Sequence, residues 1–261
     1  MIRSFLLFVA AFATSFSIAA DSPLPSKDKF HLFLLVGQSN MAGRGVVEAQ
    51  DKAVNPRVLM LTKEGQWTPA VDPLHFDKTA AGVGLGKTFG QIIAEASPGV
   101  TIGLIPCAVG GSPIDTWKPG AFYSGTKTHP WDDMVKRVEL ALPAGTIKGI
   151  LWHQGESDSN KELAPAYAAK LQDLVKRFRE LVKSPDAPFI AGQMGKFEDA
   201  PWSPEKEMVD QASRDLTKHV PHTAFVTAEG LKHKGDKVHF DAAAYRELGK
   251  RYAAAYLKLT K

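Results

Sequence analysis

Short apolar runs at residues 31–36, 58–62, 101–106, 148–153, 189–193 and 224–227 punctuate this chain, and amphipathic segments long enough for helices lie among them at 85–96, 131–142, 165–182, 204–219 and 241–259. Runs that are apolar throughout, rather than at every second residue, belong to strands buried on both faces. Crossover helices between such strands make their sheet parallel. The pattern therefore predicts a three-layer α/β/α sandwich around a mainly parallel central sheet. Neither an internal repeat, nor a low-complexity stretch, nor a linker interrupts residues 21–261, which reads as one domain large enough for a substantial core.

In an open parallel sheet, ligands bind at the carboxyl ends of the strands, so the residues just past each run matter most. The first run ends in Gly37-Gln38-Ser39-Asn40-Met41-Ala42-Gly43-Arg44-Gly45. Ser39 there is placed either to act as a nucleophile or simply to cap the next helix. Near the other end of the chain, Asp236-Lys237-Val238-His239 sets a carboxylate three residues from an imidazole. One loop could then supply both the group that takes a serine proton and the acid that orients it. Between them stand Cys107-Ala108-Val109-Gly110-Gly111-Ser112 after the third run and Gln154-Gly155-Glu156-Ser157 after the fourth. Paired glycines let backbone N–H groups approach a ligand and a glutamine amide donates hydrogen bonds, so both stretches suit an oxyanion hole.

Taken in order, these four blocks resemble the SGNH hydrolases, and more closely their sialate O-acetylesterase-like and carbohydrate esterase family six branch, which includes acetyl xylan esterase-like proteins. The resemblance runs from about Leu34 to Tyr252, and its most specific motif is Gly37-Gln38-Ser39-Asn40-Met41-Ala42-Gly43. It implies a flavodoxin-like SGNH hydrolase fold and a Ser39–His239–Asp236 triad. It also implies an oxyanion hole built from Ser39, Gly110, Gly111 and Gln154, with Gln38 and Asn40 in support. Most SGNH enzymes carry an asparagine where this chain has Gln154, which points to the carbohydrate-esterase branch rather than to a generic lipase. Glu156 is either a support beneath the serine turn or a second acid able to face His239. The implied reaction is removal of an acetyl ester from a sugar, on acetylated xylan, a related glycan or sialic acid. A general short-chain or aryl esterase and a catalytically silent carbohydrate-binding protein are the alternatives.

Two other motifs fail on inspection. The nucleophile elbow Gly-x-Ser-x-Gly is absent, because Met41 stands where its second glycine would be. The stretch Ala81-Gly82-Val83-Gly84-Leu85-Gly86-Lys87-Thr88 resembles a phosphate-binding loop but has Ala81 where that loop needs glycine, and no apolar strand precedes it. No nucleotide is therefore expected. Nor is a cofactor or metal, since the histidines lack ligand spacing and there is a single cysteine, Cys107. Cys107, at a strand end, reads as a packing residue, and no internal disulfide is possible.

Residues 1–20 read as a signal peptide: Arg3 leads an apolar stretch, and Ser17-Ile18-Ala19-Ala20 offers small residues for cleavage after Ala19 or Ala20. Export to the periplasm or exterior is the expectation, without a stable membrane anchor. The formal charge is +4, or +3 once Arg3 is removed, and it is spread among interspersed acids and bases. That pattern is a solvated surface rather than a nucleic-acid stripe. Arg44, Trp117 and Trp131 are candidate substrate contacts, and Phe122 and Tyr123 lie in the same loop region. The sequence carries no signal for oligomeric state.

Overall fold

The computed structural model describes residues 23–261, so the signal-peptide reading of residues 1–20 lies outside the described residues. Seven strands form one sheet: β1 (Phe30–Gly37), β2 (Val58–Leu61), β3 (Trp67–Pro69), β4 (Thr101–Pro106), β5 (Thr146–His153), β6 (Phe189–Gly192) and β7 (Thr223–Val226). Their order is β3-β2-β4-β1-β5-β6-β7, and every neighbouring pair is parallel except the edge pair β2–β3. The expected sandwich is present. On one side α2 (Gly86–Ala96) and α6 (Ala242–Leu259) cover the sheet, and on the other α3 (Pro130–Ala141), α4 (Tyr167–Leu181) and α5 (Pro204–His219) do so.

Strand β1 shows why its sequence is apolar without alternation. Side chains of a strand point to opposite faces in turn. Phe30, Leu32, Leu34 and Val36 enter the core beneath α3 to α5, while Phe33 and Leu35 enter the core beneath α2 and α6. From Leu32 to Val36 both faces are dry, and the one polar residue of the strand, His31, stands at its partly exposed start. Helices α5 and α6 start with side-chain caps: the Ser203 hydroxyl accepts from Lys206 N ahead of Pro204, and the Asp241 carboxylate accepts from Ala244 N. Two elements escaped the sequence pattern. Strand β3 has three residues, including Pro69, which only an edge strand accommodates. Helix α1 (Ser39–Ala42) is a single turn, too short to show any periodicity.

The strand order reverses at β1. From there the chain moves outward to β2, returns to β4 beside β1, and then crosses to β5 on its other side. The loops leaving β1, β4 and β5 therefore meet at one point above the middle of the sheet, where α/β proteins of this kind bind ligands. These are the loops that carry Ser39, Gly110-Gly111 and Gln154-Gly155-Glu156.

Gly37 makes this meeting possible. Its φ is +130°, and a Cβ there would stand 2.2 Å from the carbonyl oxygen of His153. The Gly37→Ala substitution is expected to destabilise the fold by roughly 3 kcal/mol or more, from backbone strain and overpacking together. A denaturant-midpoint comparison checks this, and a wild-type midpoint would show that the close approach does not matter.

Candidate active site

The turn that carries Ser39 is built by backbone bonds at the end of β1. Gln38 N donates to His153 O on β5 (3.0 Å), Met41 N donates to Gln38 O (3.0 Å) and Gly43 N donates to Ser39 O (2.9 Å). The Gln38 side chain braces this turn from below, accepting from Gly155 N and Ser157 N at 3.5 and 3.3 Å. Ser39 is 8% exposed, so the turn encloses all but a small part of it.

The loop between β7 and α6 presents His239 to it. The Ser39 hydroxyl donates to His239 Nε2 at 3.0 Å, and His239 Nδ1 donates to Asp236 Oδ2 at 2.7 Å. Asp236 Oδ1 accepts the backbone N–H groups of Val238 and His239 at 3.0 and 2.8 Å, so one carboxylate shapes the turn and orients the ring. The turn requires left-handed backbone at Lys237 (φ 60°) and a positive φ at Gly235 (φ 112°). His233 folds the same loop from inside: its Nδ1 accepts from Gly235 N and Lys237 N, leaving Nε2–H to face Asp199.

Partial burial opposes ionisation of Asp236. The hydrogen bonds from His239 and Val238 outweigh it and hold the carboxyl at about 2, below its usual 3.8. A carboxyl with a depressed folded-state pKa contributes stability that is complete above its unfolded value and lost as pH falls through the folded value. The loop is therefore expected to keep this contribution above pH 4 and to lose it between about pH 4 and pH 2. Denaturant midpoints across that range should fall more steeply for wild type than for Asp236→Asn; parallel curves would contradict the assignment.

The remaining expected site residues divide sharply. Gly111 has a φ of +85°, and among the described residues neither its N–H nor that of Ser39 has an acceptor within hydrogen-bonding distance. Gly110 and Gln154, expected as oxyanion donors, are corrected by the structure. Gly110 N donates to Asp77 Oδ2 at 2.8 Å. Gln154 is buried, and its amide NH2 is spent on Ser112 O (3.1 Å) and Asp158 Oδ2 (2.5 Å), while Tyr167 OH donates to its oxygen (2.9 Å). Gln154 thus ties the β4 and β5 loops together instead of facing the cleft.

Glu156 does not approach His239: its Oε1 accepts from Asn40 Nδ2 at 2.6 Å, which leaves Asp236 as the acid beside the imidazole.

The three expected substrate contacts also prove structural. Arg44 is buried in an ion pair with Asp77 (2.6 Å) and donates to Gly43 O (2.7 Å), so its charge is already neutralised. Trp117 is fully buried, donating Nε1–H to Ser112 Oγ (3.0 Å) and meeting Trp152 edge-on. Trp131 packs on Phe178 with Arg177 over its ring. Tyr123 is the aromatic the structure brings to the glycine pair, its hydroxyl filling the space a side chain on Gly111 would take. Sequence reasoning missed Asp77 and Asp158, because a buried carboxylate that secures a loop has no motif of its own.

Other reactive groups are silenced by burial. The Cys107 thiol is pushed up to about 11, and burial pushes His75 and His153 down to about 3 and about 4, so both imidazoles are neutral near pH 7. No helix among the described residues is long and apolar enough to cross a membrane.

Known proteins share this arrangement at the level of family and fold. Residues 29–258 match the family described as carbohydrate esterase, sialic acid-specific acetylesterase. A probable carbohydrate esterase of Arabidopsis thaliana is 32% identical over 265 residues, covering 91% of this chain and 93% of that protein. The X-ray structure of an Arabidopsis thaliana protein, also 32% identical, superposes with a TM-score of 0.77 over 90% of this chain and 99% of its own. At lower identity the fold persists: NanS, 19% identical, gives a TM-score of 0.72 over 91% of this chain and 99% of its own. A carbohydrate acetylesterase from Xanthomonas citri, 20% identical, gives 0.69 over 87% of this chain and 56% of its own. By the extent of the family match and the identity to its plant relative, this chain belongs to the carbohydrate esterase family of sialic acid-specific acetylesterases and is a carboxylic ester hydrolase.

Proposed function

We propose that this protein is an exported serine esterase that removes O-acetyl groups from carbohydrate through an acetyl-serine intermediate. The observation that carries the reading is the unbroken line from Ser39 Oγ to His239 Nε2 (3.0 Å) and from His239 Nδ1 to Asp236 (2.7 Å). Ser39 Oγ attacks the acetyl carbonyl carbon as its proton passes to His239 Nε2, and Asp236 stabilises the imidazolium that forms. The negative charge on the carbonyl oxygen is met by the N–H groups of Ser39 and Gly111, which have no acceptor among the described residues. His239 returns the proton to the departing sugar oxygen. Water then attacks the acetyl-serine with His239 again acting as base, releasing acetate and restoring the Ser39 hydroxyl.

Carbohydrate as the leaving group is supported by the family description and by the acetylesterase named among the structural relatives. With Trp117 and Trp131 buried, Tyr123 and the exposed Phe122 are the aromatic residues that would meet the sugar ring. Export rests on the pattern of residues 1–20.

Acetate release by the mature protein from acetylated xylan, an O-acetylated sialic acid and p-nitrophenyl acetate tests this reading. Release from a glycan is expected. Release from the aryl ester alone would replace it with a general short-chain esterase, and release from none would contradict it.

A further inference from the structure

We propose that the Asn40 side-chain amide is the positioning group of this site, setting where His239 stands relative to Ser39. The inference rests on the reading that Ser39, His239 and Asp236 carry ester hydrolysis.

Asp236 cannot do this alone. It lies three residues from His239 in the same loop, so it orients the ring within the loop but does not fix the loop against the nucleophile turn. Asn40 does. It sits directly after Ser39, is fully buried, and its amide reaches both peptide groups that flank the histidine. Nδ2 donates to Val238 O at 3.1 Å, on the way into His239, and Oδ1 accepts from Phe240 N at a longer 3.4 Å, on the way out. Among the described residues, these two bonds and the Ser39–His239 bond itself are the only hydrogen bonds between this loop and residues 38–45.

An amide has two donor hydrogens and two acceptor sites, and all four are used here. The second hydrogen goes to Glu156 Oε1 at 2.6 Å, and the second acceptor site receives Tyr245 OH at 2.7 Å. Glu156, when ionised, only accepts, so it can face only the NH2 end of the amide. Flipping the amide would set oxygen against carboxylate and against Val238 O, and NH2 against Phe240 N–H. Glu156, Val238 O and Phe240 N–H thus select one orientation, to which Tyr245 OH adds a donated bond, and that orientation is the one that grips both sides of His239. This gives Glu156 a role one step removed from the imidazole.

The isosteric substitution Asn40→Asp tests the proposal. It keeps volume and removes the NH2, placing an acceptor against Glu156 and against Val238 O. Misplacing a reacting group by about 1 Å can cost 10²-fold in rate. We expect kcat on p-nitrophenyl acetate to fall about 100-fold or more, with KM changed only a few-fold. The rate of covalent labelling of Ser39 by diisopropyl fluorophosphate, per folded molecule, should fall in parallel. Tyr245→Phe removes one of the four bonds and should lower both rates about fivefold; it carries the test should Asn40→Asp fail to fold.

A folded variant of either kind that labels Ser39 and turns over at wild-type rate overturns the proposal, whatever its melting temperature. Wild-type protein that is labelled at Ser39 yet hydrolyses no acetyl ester would instead overturn the proposed function, and the labelling rates of the variants would still judge the role of Asn40.

Discussion

Ser39→Ala is expected to lower acetyl-ester hydrolysis by roughly 10⁶-fold, the loss seen when a triad nucleophile is removed. The hydroxyl makes one side-chain hydrogen bond among the described residues, to His239, so its removal should leave the fold and melting temperature close to wild type. The backbone N–H groups of residue 39 and Gly111 survive the substitution, so some acceleration over water should persist. In the proposed mechanism serine and histidine act as one unit, so the double variant Ser39→Ala/His239→Ala should be little worse than either single one. Additive losses would show that His239 acts independently of Ser39. Rates are read as acetate released per folded molecule.

Asp236→Asn should cost about 10⁴-fold, and the geometry says why. Two backbone N–H groups, of Val238 and His239, already point at Asp236 Oδ1. An asparagine satisfies them with its single oxygen and must then turn its NH2 toward His239 Nδ1. That ring nitrogen has to become an acceptor, which moves the imidazole proton to Nε2, facing Ser39. In that tautomer the ring cannot take the serine proton. Glu156→Gln is expected to be mild, within about tenfold, because glutamine keeps an oxygen that can accept from Asn40 Nδ2, losing only the added strength of a charged acceptor. Were Glu156→Gln the more damaging of the two in folded protein, Glu156 rather than Asp236 would be the acid that matters.

Whether a residue's role is legible in the sequence depends on how that residue does its work. Strand β1 announces itself because both its faces are buried, and the same fact for β4 to β6 makes the parallel sheet readable. The loop Asp236–His239 was legible because a carboxylate that both caps a turn and orients a ring must lie within a few residues of it. Glu156 was ambiguous on sequence because its partner, Asn40, is 116 residues away. The expected roles of Gln154, Gly110 and Arg44 failed for a shared reason. A donor's function depends on what has already claimed its hydrogens, and the claimants Asp158 and Asp77 lie on loops whose approach only the fold sets. Trp117 and Trp131 failed because a tryptophan in a loop region looks the same in sequence whether its ring faces a sugar or, as here, the core.

The most direct single measurement is rapid quenching of wild-type protein turning over an acetyl ester, with mass analysis of the peptide that contains Ser39. A transient gain of one acetyl group on Ser39 is predicted, formed before acetate is released and absent in Ser39→Ala. Acetate released at full rate with no acetyl group appearing on Ser39, and at an unchanged rate in Ser39→Ala, would contradict the acetyl-serine mechanism.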